Sequence, residues 1–119
     1  MTKISAEAIR TRVYRLGEPI LPFLLQSLSP PSTSCVLAIT SKIISLSEGR
    51  LVDKTSIDKA ALVRREADHD LGEIGYGCFL TLKHGLFIAS AVIDESNSDQ
   101  GGYILYPEDP FRSAEQIRD

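Results

Sequence analysis

The sequence has no tryptophan, one methionine and two cysteines. Cys35 and Cys78 lie far apart, inside apolar runs, and form neither a CxxC pair nor a zinc-ligand spacing. Disulfide scaffolds and cysteine metal centres are therefore not indicated, and the expected state is two buried, reduced thiols in a cytoplasmic protein. No apolar run approaches the roughly 20 residues that cross a bilayer. The N-terminus, Met-Thr-Lys-Ile-Ser-Ala-Glu, lacks the apolar core of a signal peptide. A net charge of -3 gives no electrostatic case for nucleic acid. Neither a membrane nor a nucleic acid is thus an expected partner. There is no internal repeat, low-complexity segment or heptad pattern.

What is present is an ordinary globular composition. With 119 residues, 43% hydrophobic and 24% charged, the chain suits one domain with a core of its own. Residues 9–16 alternate weakly, as in a half-exposed strand. Ile20, Phe23, Leu24 and Leu28 recur at helical spacing, predicting a helix over 19–28, with Pro19 and Pro22 tolerated in its first turn. After a Ser/Pro loop, Cys-Val-Leu-Ala-Ile-Thr at 35–40 reads as a central strand covered on both faces. Thr40 or Ser41 is placed to cap a helix over 42–47 that Gly49 ends. A short strand is expected at 50–53. A helix is expected from Ile57 to about Leu71, capped by Thr55 or Ser56. Gly72, Gly75 and Gly77 mark a turn region. An apolar hairpin over 78–83 and 86–93 turns at His84-Gly85. A strand at 103–106 and a helix at 110–118, opened by Asp109-Pro110, complete the chain. The expected fold class is α+β: a single domain with a mixed, mainly antiparallel sheet packed by about three helices.

The second hairpin strand ends in Asp94, Glu95, Ser96 and Asn97, and a rigid strand end is a good place to present side chains. Asp94 and Glu95 are adjacent, so their carboxylates point to opposite faces and do not form an acid/base pair on one substrate. Asp94 with Ser96 and Asn97 suits a hard cation, Mg²⁺ or Mn²⁺, which needs only one or two carboxylates when phosphates supply other ligands. The competing reading is a turn in which these side chains bond local backbone N–H groups. Thr40, Ser41, Lys42 and Ser45 follow an apolar run, where α/β folds bind phosphate, or else they only cap a helix. His69 and His84 have no ligand spacing, and His84 beside Gly85 reads as a turn residue or as one aimed at the Asp94 edge. No nucleophile–base constellation is present, and no catalytic residue is assigned.

Three segments, in order, carry a resemblance. Thr40-Ser41-Lys42-Ile43-Ile44-Ser45-Leu46-Ser47-Glu48-Gly49-Arg50 is followed by Ile93-Asp94-Glu95-Ser96-Asn97 and by Leu105-Tyr106-Pro107-Glu108-Asp109-Pro110-Phe111-Arg112-Ser113-Ala114. Together with Arg65-Glu66-Ala67, Lys83-His84-Gly85 and the final Ser-Ala-Glu-Gln-Ile-Arg, they resemble the family of γ-glutamyl ligases acting on the deazaflavin coenzyme F-420, from about residue 17 onward. The resemblance implies the N-terminal half of that fold, over residues 1–119. It implies a GTP-dependent, metal-dependent ligase that joins L-glutamate to a phospholactyl-linked deazaflavin precursor through an acyl phosphate. On it, Asp94 is the metal ligand. Ser41, Lys42, Ser45, Glu48, Gly49 and Arg50 line the nucleotide region, and Ser96 and Asn97 support the metal or the nucleotide. Two positions depart from the family pattern: Leu46 stands where it has lysine, and Val92 where it has glycine. The family's further metal and phosphate contacts come from a later segment. The expectation is therefore a homodimer, or a complementary second half, completing a site that Leu46 weakens. The alternative function is a non-catalytic, ligase-like binding or assembly module.

Overall fold

Pro19 precedes the first apolar stripe, and the helix begins directly after it. A computed structural model, which describes residues 3–29, 34–95 and 102–118, places helix α1 at Ile20–Ser27, with Phe23 and Leu24 buried. The Tyr14 ring meets Phe23 edge-on, with centroids 4.9 Å apart at 84°. Ile39, Ile43, Leu46 and Ile117 close the cluster around them.

Residues 9–16 form no strand. Arg12 and Tyr14 attach this segment to α1 by side chains rather than by a ladder. The Arg12 guanidinium lies 5.0 Å over the Phe23 ring and pairs with Glu18, and the Tyr14 hydroxyl donates to the Glu18 carbonyl. Residues 35–40 form no strand either. Val36 is 96% exposed and Cys35 is exposed, contrary to a buried thiol, while Ile39 alone reaches the apolar cluster. A run that is apolar on both sides needs neighbours on both edges, and among the described residues none lies beside it. Cys78, at the start of a strand, is only partly buried.

Helix α2 occupies Ser41–Ser47, as expected, with Thr40 at the N-cap position but no side-chain cap bond. It ends in a Schellman motif: Gly49, at φ 69°, donates to the Leu46 carbonyl at 3.2 Å, and Arg50 N–H donates to the Ser45 carbonyl at 2.9 Å. Strand β1, Leu51–Asp53, follows. Helix α3 is shorter than expected, Lys59–Glu66, because its N-cap is Asp58, whose carboxylate accepts the Ala61 N–H at 2.9 Å. Thr55 instead donates to Asp53 in the preceding turn.

The residues expected as the helix end and a glycine turn are strand β2, His69–Gly75, paired antiparallel with β3, Cys78–Lys83. Gly72 and Gly75 sit at its register shifts, and the turn itself is Tyr76-Gly77. Strand β4, Leu86–Ala89, pairs with β3 across His84-Gly85, whose φ values of 51° and 75° suit a type I′ turn. β4 stops at Ala89, short of the expected Ile93. Strand β5, Gly102–Ile104, pairs with β1, and helix α4 spans Pro110–Arg118, capped by Asp109, which accepts the Arg112 N–H at 3.0 Å.

The class is therefore α+β and antiparallel, with one correction: the described residues form four helices and two small sheets, β1-β5 and β2-β3-β4, rather than one mixed sheet. A second apolar cluster, Leu62, Tyr103 and Leu105 with Val52, Ile57 and Ile93, joins α3 to the two-stranded sheet. The buried Lys83 ammonium donates to the Glu66 carbonyl at 2.6 Å, where a helix C-terminus favours a cation. No helix among the described residues is long and apolar enough to cross a membrane.

Candidate functional site at the two ends of helix α2

The motif residues gather at opposite ends of α2, a helix about 10 Å long. At its first turn, the Lys42 ammonium lies 2.5 Å from Asp94 Oδ2. Asp94 is fixed through its backbone. Its N–H donates to the Ile104 carbonyl at 2.9 Å, and its carbonyl accepts the Ile104 N–H at 2.7 Å, so it bridges onto the free side of β5. Glu95 turns the other way and meets Lys59 at 3.2 Å and Lys54 at 3.8 Å. The opposite facing expected of adjacent strand residues is thus observed. Ser96 and Asn97 lie outside the described residues.

Among the described residues no three His, Cys, Asp or Glu side chains come together to hold a metal. Asp94 offers one hard oxygen ligand here, and it is paired with the Lys42 ammonium.

The chain approaches Asp94 through a left-handed turn. Ser90, Ala91 and Val92 have φ values of 46°, 50° and 61°. Such values are uncommon outside glycine, and for a β-branched residue they are outliers. Two hydroxyls tie the turn to the hairpin. Thr81 Oγ1, fully buried, accepts the Ala91 N–H at 2.9 Å and donates to the Ile88 carbonyl at 2.6 Å; Ser90 Oγ accepts the Phe79 N–H at 3.1 Å. Reading the sequence missed both residues. The one available signal was the glycine that the family pattern has at position 92, which requests a positive φ.

At the other end of α2, Glu48, Gly49 and Arg50 line a groove of about 800 Å³ together with Glu108, Asp109, Arg112 and Ser113. The first and third motifs thus meet here. The Glu48 carboxylate accepts the Ser113 hydroxyl at 2.7 Å and the Glu108 N–H at 3.2 Å. Arg50 Nε donates to the Tyr106 carbonyl at 2.7 Å, its guanidinium pairs with Glu66, and its own carbonyl accepts the Leu105 N–H at 3.0 Å. His84 packs against Tyr106, with ring centroids 6.0 Å apart, and so is a turn residue on this side of the fold. Neither Lys42 nor Asp94 lines this groove. Ser41 is the first residue of α2. Ser45 is buried, and its hydroxyl has no hydrogen-bond partner among the described residues.

The ordered motifs and their convergence on α2 agree with comparison to known proteins. The family model described as F420-0:Gamma-glutamyl ligase matches residues 8–119. The chain belongs to this family. A coenzyme F420:L-glutamate ligase of Methanopyrus kandleri is 31% identical over 101 residues, covering 70% of this chain and 40% of that protein. The chain therefore spans about 40% of the length of the relative it matches. The γ-glutamyl ligase match runs through both ends of α2 and through the exposed 35–40 run. Leu46, the apolar departure from the family pattern, packs on the cluster of Tyr14, Phe23 and Leu24.

Proposed function

We propose that this chain is the nucleotide- and metal-binding part of a GTP-dependent amide ligase that adds L-glutamate to a deazaflavin coenzyme precursor. The observation that carries the reading is the Lys42–Asp94 pair, which joins two family motifs into one charged site at 2.5 Å. In such a ligase a substrate carboxylate takes the terminal phosphoryl group of GTP and releases GDP. The glutamate amine then displaces phosphate from the acyl phosphate. A divalent cation neutralises the phosphates and orients the in-line transfer. On this reading Asp94 holds that cation, and the Lys42 ammonium, displaced from Asp94, pairs with a phosphate oxygen. The α4-side groove, lined by Arg50 and Arg112 together with Glu48, Glu108 and Asp109, offers polar and charged groups of both signs to a small molecule. Because Asp94 is the one carboxylate beside Lys42 among the described residues, the cation binds together with nucleotide rather than alone.

A homodimer or a complementary second half completes the site. In support, the large apolar side chains of Val36, Leu25 and Phe87 are 96%, 77% and 72% exposed. Isothermal titration of GTP in Mn²⁺ tests the reading: binding is expected, and Asp94→Ala abolishes it. Binding of GTP without release of GDP in the presence of glutamate and a deazaflavin acceptor would favour a binding or assembly module. No binding at all contradicts the proposal.

A further inference from the structure

Asp94 owes its place to residues that no motif contains. The chain leaves β4 at Ala89, makes three consecutive left-handed residues, and reaches Asp94 two residues later. Left-handed backbone is disfavoured for every L side chain and most for a β-branched one. Something must over-determine such a turn if it is to hold one geometry. The Ile93 N–H closes it on the Ser90 carbonyl at 3.0 Å, and Ser90 Oγ ties it to Phe79. The deepest contact is Thr81, with no exposed surface, in the middle of β3. Its hydroxyl uses both capacities at once, donating to Ile88 in β4 and accepting from Ala91 in the turn. The Ala91 N–H is buried, so removing its acceptor leaves an unsatisfied donor that drives the turn elsewhere.

We propose that Thr81 is a positioning residue for the Asp94–Lys42 pair, its buried hydroxyl fixing the left-handed turn at 90–92 from which Asp94 emerges. Asp94 bonds Ile104 through both backbone groups. A turn that relaxes by one residue therefore breaks this register and turns the carboxylate to the face now taken by Glu95. The binding part of the claim rests on the proposed role of Asp94 as a cation ligand, whereas the positioning part does not.

The test compares Thr81→Val, which keeps the shape and removes the hydroxyl, with Thr81→Ser, which keeps the hydroxyl. Three signals are read: amide exchange at Ala91, the backbone amide shift of Asp94, and the affinity for GTP in Mn²⁺. In Thr81→Val the account expects Ala91 to exchange at least about tenfold faster, the Asp94 shift to move, and the affinity to fall by about tenfold, an effect in the range of one unsatisfied buried donor. Thr81→Ser restores all three. If Ala91 exchange or the Asp94 shift is unchanged in Thr81→Val, the proposal is overturned. If both change while affinity stays constant, Thr81 is only structural and the proposal is equally overturned. Should the unaltered chain bind no nucleotide, the ligand role of Asp94 fails, and the Asp94 shift alone decides the positioning claim. If Thr81→Val does not fold, Thr81→Ala in the Val92→Gly background replaces it, since glycine accepts the positive φ. There Ala91 exchange at least about tenfold faster than in Val92→Gly alone, with the Asp94 shift moved and weaker binding, supports the claim on the same arithmetic. Equality in any of these overturns it.

Discussion

Arg50 is a groove residue whose first task is mechanical. Its guanidinium joins α2, α3 and the Tyr106 segment through a carbonyl and the Glu66 carboxylate. Arg50→Met keeps the apolar stem, removes the donor to the Tyr106 carbonyl and leaves Glu66 with the 3.4 Å contact to Arg65. The expected loss is about 1.5–3 kcal/mol in urea unfolding, the range for a charged hydrogen bond that is mostly shielded from water. Nucleotide affinity measured on the still-folded fraction changes less than stability does. Val92 points the other way. It holds φ 61° with a β-branched side chain where glycine would carry no such penalty. Left-handed backbone costs about 1–2 kcal/mol for an L residue, and glycine returns about 0.5–1 kcal/mol through its freer unfolded chain. Val92→Gly is therefore expected to raise the unfolding free energy by about 0.5–1 kcal/mol, read by thermal melting at fixed pH. This residue also shows what was legible in the sequence. The departure from glycine was visible, but its meaning, a strained turn instead of a close backbone approach, needed the φ angle. Asp94 was read as a strand-end carboxylate, but β4 ends at Ala89 and Asp94 sits instead on a bridge to Ile104, beside a partner, Lys42, that lies 52 positions earlier.

Elements with their own periodicity and caps were read well. The stripe of Ile20, Phe23, Leu24 and Leu28 became α1, Asp109-Pro110 opened α4, and His84-Gly85 turned the hairpin. Those set by tertiary pairing were not. Ala67 and Leu71 continue a helical stripe, but pairing with β3 takes over from His69, and Asp58 rather than Thr55 caps α3. The N-terminal arm is the third case, because Arg12 and Tyr14 attach it by side chains. That attachment carries a pH signature. The hydrogen-bonded Arg12 guanidinium, foremost among its neighbours, holds the Glu18 carboxyl near about 2, below its ordinary 4.5. A depressed carboxyl contributes stability above its unfolded value and loses it as pH falls. The arm is thus fully attached above pH about 4.5 and loosens progressively toward pH about 2. The Tyr14 ring resonances report this, and Glu18→Gln is expected to make them indifferent to pH over that window.

At the scale of the molecule, the radius of gyration is 16.5 Å, against about 13.5 Å for a compact domain of this length. Two apolar clusters, one around Phe23 and one around Leu62, share the burial that a single core would hold. The 35–40 run, read as a buried strand, lies bare, and the chain spans 40% of a relative's length. The sequence pattern recorded an environment that these residues do not supply to one another. Light scattering at micromolar concentration is expected to give a mass above the 13.1 kDa of one chain, and Val36→Lys is expected to return it toward that value. A monomer with unaltered Val36 opposes the assembly proposed here.

On the reading proposed above, Asp94 and Lys42 form a cation- and phosphate-binding pair. Isothermal titration of GTP into the chain with and without Mn²⁺, repeated on Asp94→Asn, tests it most directly. Binding is expected to require Mn²⁺ and to be lost in Asp94→Asn, a substitution expected to leave the melting temperature nearly unchanged, since a partly exposed ion pair contributes at most about 1 kcal/mol. GTP binding that is indifferent to both Mn²⁺ and Asp94, or no binding by the folded chain, contradicts it.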